Sequence, residues 1–121
     1  MSVEKRIRDR IVVLSTLAND KVFFVRAVEG TQMPYIAVSK ISAPRSFTHE
    51  GSDGMVVSRF QVSIYDKEYF DAKTEAEKIY GLQDFSDDVI AHVQLANEND
   101  FYENDMKTHH IALDFMVRYY E

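Results

Sequence analysis

The nine residues SRFQVSIYD (58–66) restrict the fold more than any other stretch of the chain. Phe60, Val62 and Ile64 alternate with Arg59, Gln61, Ser63 and Tyr65, the period-two pattern of a strand with one apolar and one polar face. Such a strand is covered on one side only. The rest of the chain must therefore supply strands beside it and an apolar layer against a single face. The alternation then stops at Asp66, where DKEYFDAKTEAEKIYGLQDF begins. Asp66 is the expected N-cap of a helix with Ala72, Ala76, Ile79 and Tyr80 on one stripe. The small alanines let that helix approach a sheet closely.

The remaining segments fall into the same two periods. SVEKRIRDRIVVLSTLAND reads as a helix with Ser2 as N-cap, Val3, Ile7, Ile11 and Leu14 on its apolar stripe, and Asn19 and Asp20 at its end. Lys5 with Asp9, and Glu4 with Arg8, stand four apart on its outer face. KVFFVRAVEG, closed by Gly30, and MPYIAVSKIS, with Pro34 where the strand starts, read as two strands. APRSFTHEGSDG (43–54) has the Gly, Pro, Ser and Asp content of a loop, and it links two expected hairpin partners with more residues than a tight turn needs. DDVIAHVQLA reads as a strand in which Ile90, His92 and Gln94 alternate with Val89, Ala91, Val93 and Leu95. HHIALDFMVRYY sets Ile111, Leu113, Phe115, Val117 and Tyr119 against Ala112, Asp114, Met116, Arg118 and Tyr120. The acidic NENDFYEND (97–105) is the expected tip between these last two strands.

The element order is thus α-β-β-β-α-β-β in a single domain spanning residues 1–121. The simplest arrangement is an α+β two-layer sandwich: a mostly antiparallel sheet with both helices on one face. Its helix-free face carries Arg59, Gln61 and Ser63 with part of Asp114, Met116 and Arg118. A mixed face of this kind is either solvated or covered by another copy.

The 121 residues are 45% hydrophobic and 28% charged, enough to bury a core without staples, and the chain has no cysteine. Disulfides, thiolate metal sites and cysteine nucleophiles are excluded. MSVEKRIRDR lacks the apolar core of a secretory signal, and no run approaches the length of a membrane span, so neither is expected. The formal net charge is −6. Phosphate-backbone binding needs Lys and Arg, so an acidic surface argues against DNA binding as the main activity. The aromatics of 65–70, 101–102 and 119–120 are flanked mainly by acids, which suits core or interface packing better than base stacking.

Of the four histidines, His109 and His110 are adjacent in an expected strand and point to opposite faces. His49 lies in the loop and His92 stands alone, so no metal cluster is expected. Asp84, Asp87 and Asp88 sit at a turn that favours Asp for local hydrogen bonding, with no general acid opposite a base. The sequence holds no Gly-rich phosphate loop, nucleophile elbow or HExxH motif. The expectation is a protein that is not an enzyme and uses no cofactor.

One order of pieces is distinctive: an N-terminal amphipathic helix, a strand started through PYIAV, a loop, RFQVSIYD running into a helix with AxxxAxxI, and a last strand preceded by HHIALDF. From about Ile7 to Tyr119 this resembles the tail-completion proteins of long-tailed bacteriophages, the tail terminators or tail-to-head joining proteins. The resemblance implies a non-catalytic α+β subunit that forms a homohexameric ring, caps the tail tube protein and docks to the neck or head-completion protein. It would be made in the bacterial host cytoplasm and reside in the virion at the tail-neck junction, with DNA passing through unbound and no membrane contact. Two residue groups are then candidates for assembly. Arg45, Phe47, His49, Glu50 and Asp53 belong to the 43–54 loop. Arg59 and Gln61, with Glu98, Asp100, Glu103 and Asp105 of the acidic tip, belong to the ring or its lumen. The competing expectations are another small neck or tail component, a dimeric α+β ligand-binding module, and a nucleic-acid-binding ferredoxin-like domain.

Overall fold

Ser2 starts the first helix by accepting the Lys5 N–H at 3.2 Å on its hydroxyl, so α1 runs Val3–Leu14 with Val3, Ile7 and Ile11 buried. A computed structural model describes residues 2–15, 21–27, 30–42, 55–104 and 107–120. The helix stops earlier than the sequence suggests, because Ser15 is already extended at φ −82 and ψ 154. Asn19 and Asp20 lie outside the described residues. Lys5 and Asp9 pair at 2.9 Å as expected, whereas Glu4 reaches Lys40 at 3.4 Å instead of Arg8.

Five strands form one sheet in the order β1-β2-β3-β5-β4: β1 is Val22–Phe24, β2 Tyr35–Ser42, β3 Met55–Asp66, β4 Ile90–Glu103 and β5 Thr108–Tyr120. All pairings are antiparallel except β1 with β2, which is parallel. The KVFFVRAVEG segment yields only three strand residues, since Val25 adopts φ +68 and turns the chain out of the ladder.

The second helix, α2, is Tyr69–Ile79, followed by a 3-10 turn at Tyr80–Leu82. Asp66 is not its N-cap. It pairs with His109 in the ladder and stays extended, accepting the Glu68 N–H at 3.2 Å on its carboxylate, and the helix begins after Glu68 without a side-chain cap. Gly81 follows α2 where a Cβ would lie 3.0 Å from Leu14 Cδ2, so glycine permits the close approach of the two helical segments.

Both helices cover one face. Phe60, Val62 and Ile64 of β3 and Ile111, Leu113, Phe115 and Val117 of β5 form one core with Ile7, Ile11, Ala72, Ala76 and Ile79. Leu14 packs against it only partly buried. The α+β two-layer architecture and its element order are those the sequence implies.

Two expectations fail in β4. Its register slips between Ile90 and His92 and again between Leu95 and Asn97, so strict alternation breaks and Ile90 and Val93 are both buried. The acidic 97–105 segment is also not a hairpin tip. Asn97 to Glu103 pair with Asp114 to Thr108, extending the strand almost to the turn. The physical reason lies in β5: the strand continues in register to Thr108, and a partner in register satisfies the backbone of even an acidic segment.

Candidate assembly surface

Register places one aromatic residue from each strand in a row on the helix-free face. Tyr35 lies opposite Tyr65, Tyr65 opposite His110, and His110 opposite Phe101. Tyr35 and Tyr65 stack with centroids 4.9 Å apart, Tyr65 and His110 stack at 4.3 Å, and Phe101 tilts against His110 at 5.4 Å. Phe23 meets Tyr35 edge-on at 6.3 Å and completes the row on β1. Each such pair adds about 0.5–1.5 kcal/mol beyond area burial and fixes ring orientation. Burial raises the pKa of Tyr35 and of Tyr65, and the Glu103 carboxylate adds to both. The same burial pushes the His110 pKa down, against the upward pull of Glu103, and its Nε2 has no hydrogen-bond partner among the described residues. His110 is therefore a neutral ring stacked between aromatics at ordinary pH.

Four to six residues further along β3 and β5, the same face carries an ion pair. Arg59 donates from Nη2 to Asp114 Oδ2 at 2.6 Å, and Gln61 donates from Nε2 to Asp114 Oδ1 at 3.3 Å. Asp114 is only 2% exposed, although nothing among the described residues covers this face, because its two neighbours lie across it. Around this cluster stand Ser39, Ser63, Ala37, Ala112, Asn97 and Asn99, small or uncharged polar side chains, with the apolar thioether of Met116 opposite Arg59. The result is a flat surface, aromatic at one end and amide-rich in the middle.

The acidic candidates split between the faces. Glu103 joins the open face beside the aromatic row, where it bears on Tyr35, Tyr65 and His110. Glu98 and Asp100 lie opposite Leu113 and Ile111 and so project to the helix side. There Glu98 accepts from Lys73 and from the Tyr80 hydroxyl, and Asp100 accepts from the Tyr69 hydroxyl at 2.9 Å. Burial alone would raise the Glu98 pKa, but the Lys73 and Tyr80 hydrogen bonds win and lower it. The Glu98 bond raises the pKa of Lys73 in turn. These two acids fasten β4 to α2 and do not join Arg59 and Gln61. The loop candidates Arg45, Phe47, His49, Glu50 and Asp53, together with Asp105, lie outside the described residues.

His109 and His110 do face opposite sides, as adjacent strand residues must. His109 packs between Tyr69 and Tyr102 at 5.5 and 4.8 Å, so each histidine belongs to an aromatic cluster. Among the described residues no three His, Asp or Glu side chains gather to hold a metal, and no described helix is long and apolar enough to cross a membrane. Sequence reading missed Tyr35, His110 and Phe101 as parts of this surface; it placed Asp114 on the face but not as a buried carboxylate. Only strand register brings them together, and spacing along the chain does not encode it.

A sheet covered by two helices on one face, with the other face uncovered among the described residues, defines a class: α+β two-layer domains. The family model described as "Tail completion protein gp17" matches residues 6–120, and the chain belongs to that family. It is a structural protein of phage tail assembly and a virion component. No curated protein matches the chain in sequence. In fold the chain is similar to a chain of a structure titled "Virion of native gene transfer agent (GTA) particle", with a TM-score of 0.65 at 12% identity over 90% of this chain and 83% of that one.

Proposed function

We propose that the protein is the subunit of a homohexameric ring that caps the tail tube and joins the finished tail to the head-neck. Membership of the tail completion family over residues 6–120 carries this reading. In the ring the helices face outward, and the open face with its aromatic row and its Arg59–Asp114 pair packs on the neighbouring copy. That face is suited to association because its rings and its ion pair are already held in place, so little side-chain freedom is lost on binding. The role is structural, with no chemistry performed and no cofactor bound. DNA passes through the ring unbound, consistent with the excess of acids over bases in the chain. The 43–54 loop, through Arg45, Phe47, His49, Glu50 and Asp53, reaches the tube or the neck.

Native mass spectrometry of tail ends, with electron microscopy of tails assembled with and without the protein, tests the reading. The expected result is six copies per tail end, and tails that overgrow or fail to join heads when the protein is missing. Normal joined particles in its absence would refute it. Deleting residues 47–53 separates the loop's part: the shortened protein should remain a folded, soluble monomer that fails to complete tails.

A further inference from the structure

The sheet ends on one side at β4, and its outer edge is covered only in part. Asp87 and Asp84 donate their backbone N–H groups to Ile90 and Val93 at 2.8 Å each, sealing the first residues. From Leu95 onward β4 bonds only to β5, so alternate N–H and C=O groups up to Glu103 point away from the protein and meet no described residue. Natural sheets blunt such edges with lysine, proline or a bulge. Here both register shifts come before Asn97, and NENDFYE (97–103) contains neither lysine nor proline. Among the described residues the stretch is in register and open. Phe101 on one face and Tyr102 on the other are each 50% exposed at its far end. Lys73 neutralises Glu98, which leaves Asp100 and Glu103 as the charges a newcomer would meet.

We propose that the 95–103 edge of β4 receives an extended, basic segment of a different protein as a sixth strand. Backbone groups would supply the affinity, while Asp100 and Glu103 would select Lys or Arg and the rings of Phe101 and Tyr102 would flank the added strand. A second copy of this chain fits poorly. Two β4 edges would set like charges side by side. The opposite edge, β1, is three residues long, and Arg8 already donates to its Val22 carbonyl at 3.1 Å. The inference goes beyond the ring reading, since a subunit that never formed a ring would still present this edge.

The probe is the capped octapeptide Lys-Val-Arg-Val-Thr-Val-Lys-Val, with a control carrying Glu in place of Lys and Arg, added to the full chain while amide hydrogen exchange is followed by NMR. The expected result is protection of alternate amides between 97 and 103 by at least about tenfold with the basic peptide. Protection should fade at about 0.5 M salt and be absent with the acidic peptide. The double variant Asp100→Lys, Glu103→Lys should reverse the preference. If that variant unfolds, Glu103→Lys alone, at an exposed position, should weaken the basic peptide several-fold. No protection at millimolar peptide, or equal protection by both peptides, would overturn the proposal. So would edge protection that grows with protein concentration when no peptide is present, because a second copy would then be the occupant.

Discussion

Along β3, Phe60, Val62 and Ile64 have no exposed surface, whereas Arg59, Gln61 and Tyr65 stand one residue away from each and keep contact with solvent. The two faces of one strand are held by different physics. The helix-covered face is a continuous apolar cluster in which volume and burial decide stability. On the open face, stability comes from paired contacts fixed by register: rings stacked across strands, and one buried carboxylate shared by two donors. Side chains of the first kind can be exchanged for others of similar volume. The second kind works only if every strand is in step, which is what a surface that must match a partner requires.

The comparison breaks most visibly on the covered side. Phe60→Ala should cost about 2 to 5 kcal/mol through lost burial and a residual cavity, read as a large fall in melting temperature. An unchanged melting temperature would mean that the faces are assigned the wrong way round. The ion pair of the open face comes next. Arg59→Ala leaves the Asp114 carboxylate with Gln61 as its remaining side-chain donor, for an expected loss of about 1 to 2 kcal/mol in urea titration, discounted because Arg59 is half-exposed. A loss as large as that of Phe60→Ala would erase the distinction between the faces.

These two positions also mark how far the sequence could be read. The covered face was legible, because Phe60, Val62, Ile64 and the odd residues from Ile111 to Tyr119 carry their burial in a plain alternation. Half of the open surface was legible for the same reason: Arg59 and Gln61 had to face away from the core. Asp114 was visible as an open-face residue but not as a buried one, since its burial depends on two side chains from the neighbouring strand. The aromatic row was not legible, because Tyr35, Tyr65, Phe101 and His110 are joined only by cross-strand pairing. β4 was misread at its bulges, where one extra residue switches the face of every residue after it. Asp66 was misread because a strong capping residue served instead to end a strand paired with His109.

Smaller effects sharpen the comparison. Tyr65→Ala removes the middle ring of the row and should cost about 0.5 to 1.5 kcal/mol for each neighbouring ring left unstacked, while Tyr65→Phe should cost almost nothing. Equal losses in the two variants would assign the effect to the hydroxyl rather than to stacking.

The smallest expected effect is a pH dependence. His110 takes up a proton less readily when folded than at its ordinary value of 6.5, because burial between Tyr65 and Phe101 outweighs the attraction of Glu103. Between the lowered value and 6.5 the unfolded chain binds more protons. The histidine's contribution is therefore complete above 6.5 and declines as pH falls through that window. His110→Phe should keep the row and flatten this slope, seen as urea midpoints that converge between about pH 7.5 and about pH 5.5. Glu98 and Asp87, whose pKa values are lowered from ordinary values of 4.5 and 3.8, act in a more acidic range and leave the test clean.

Hydroxyl-radical footprinting of the free subunit and of completed tails tests most directly the claim that one face makes the core and the other makes the assembly. On assembly, Tyr65, Met116 and Phe101 of the open face should lose reactivity. Val13 on the outside of α1 and Phe70 on α2, exposed by 70% and 79% in the subunit, should keep theirs. Protection of Val13 and Phe70, with Tyr65, Met116 and Phe101 left as reactive as in the free protein, would contradict the account.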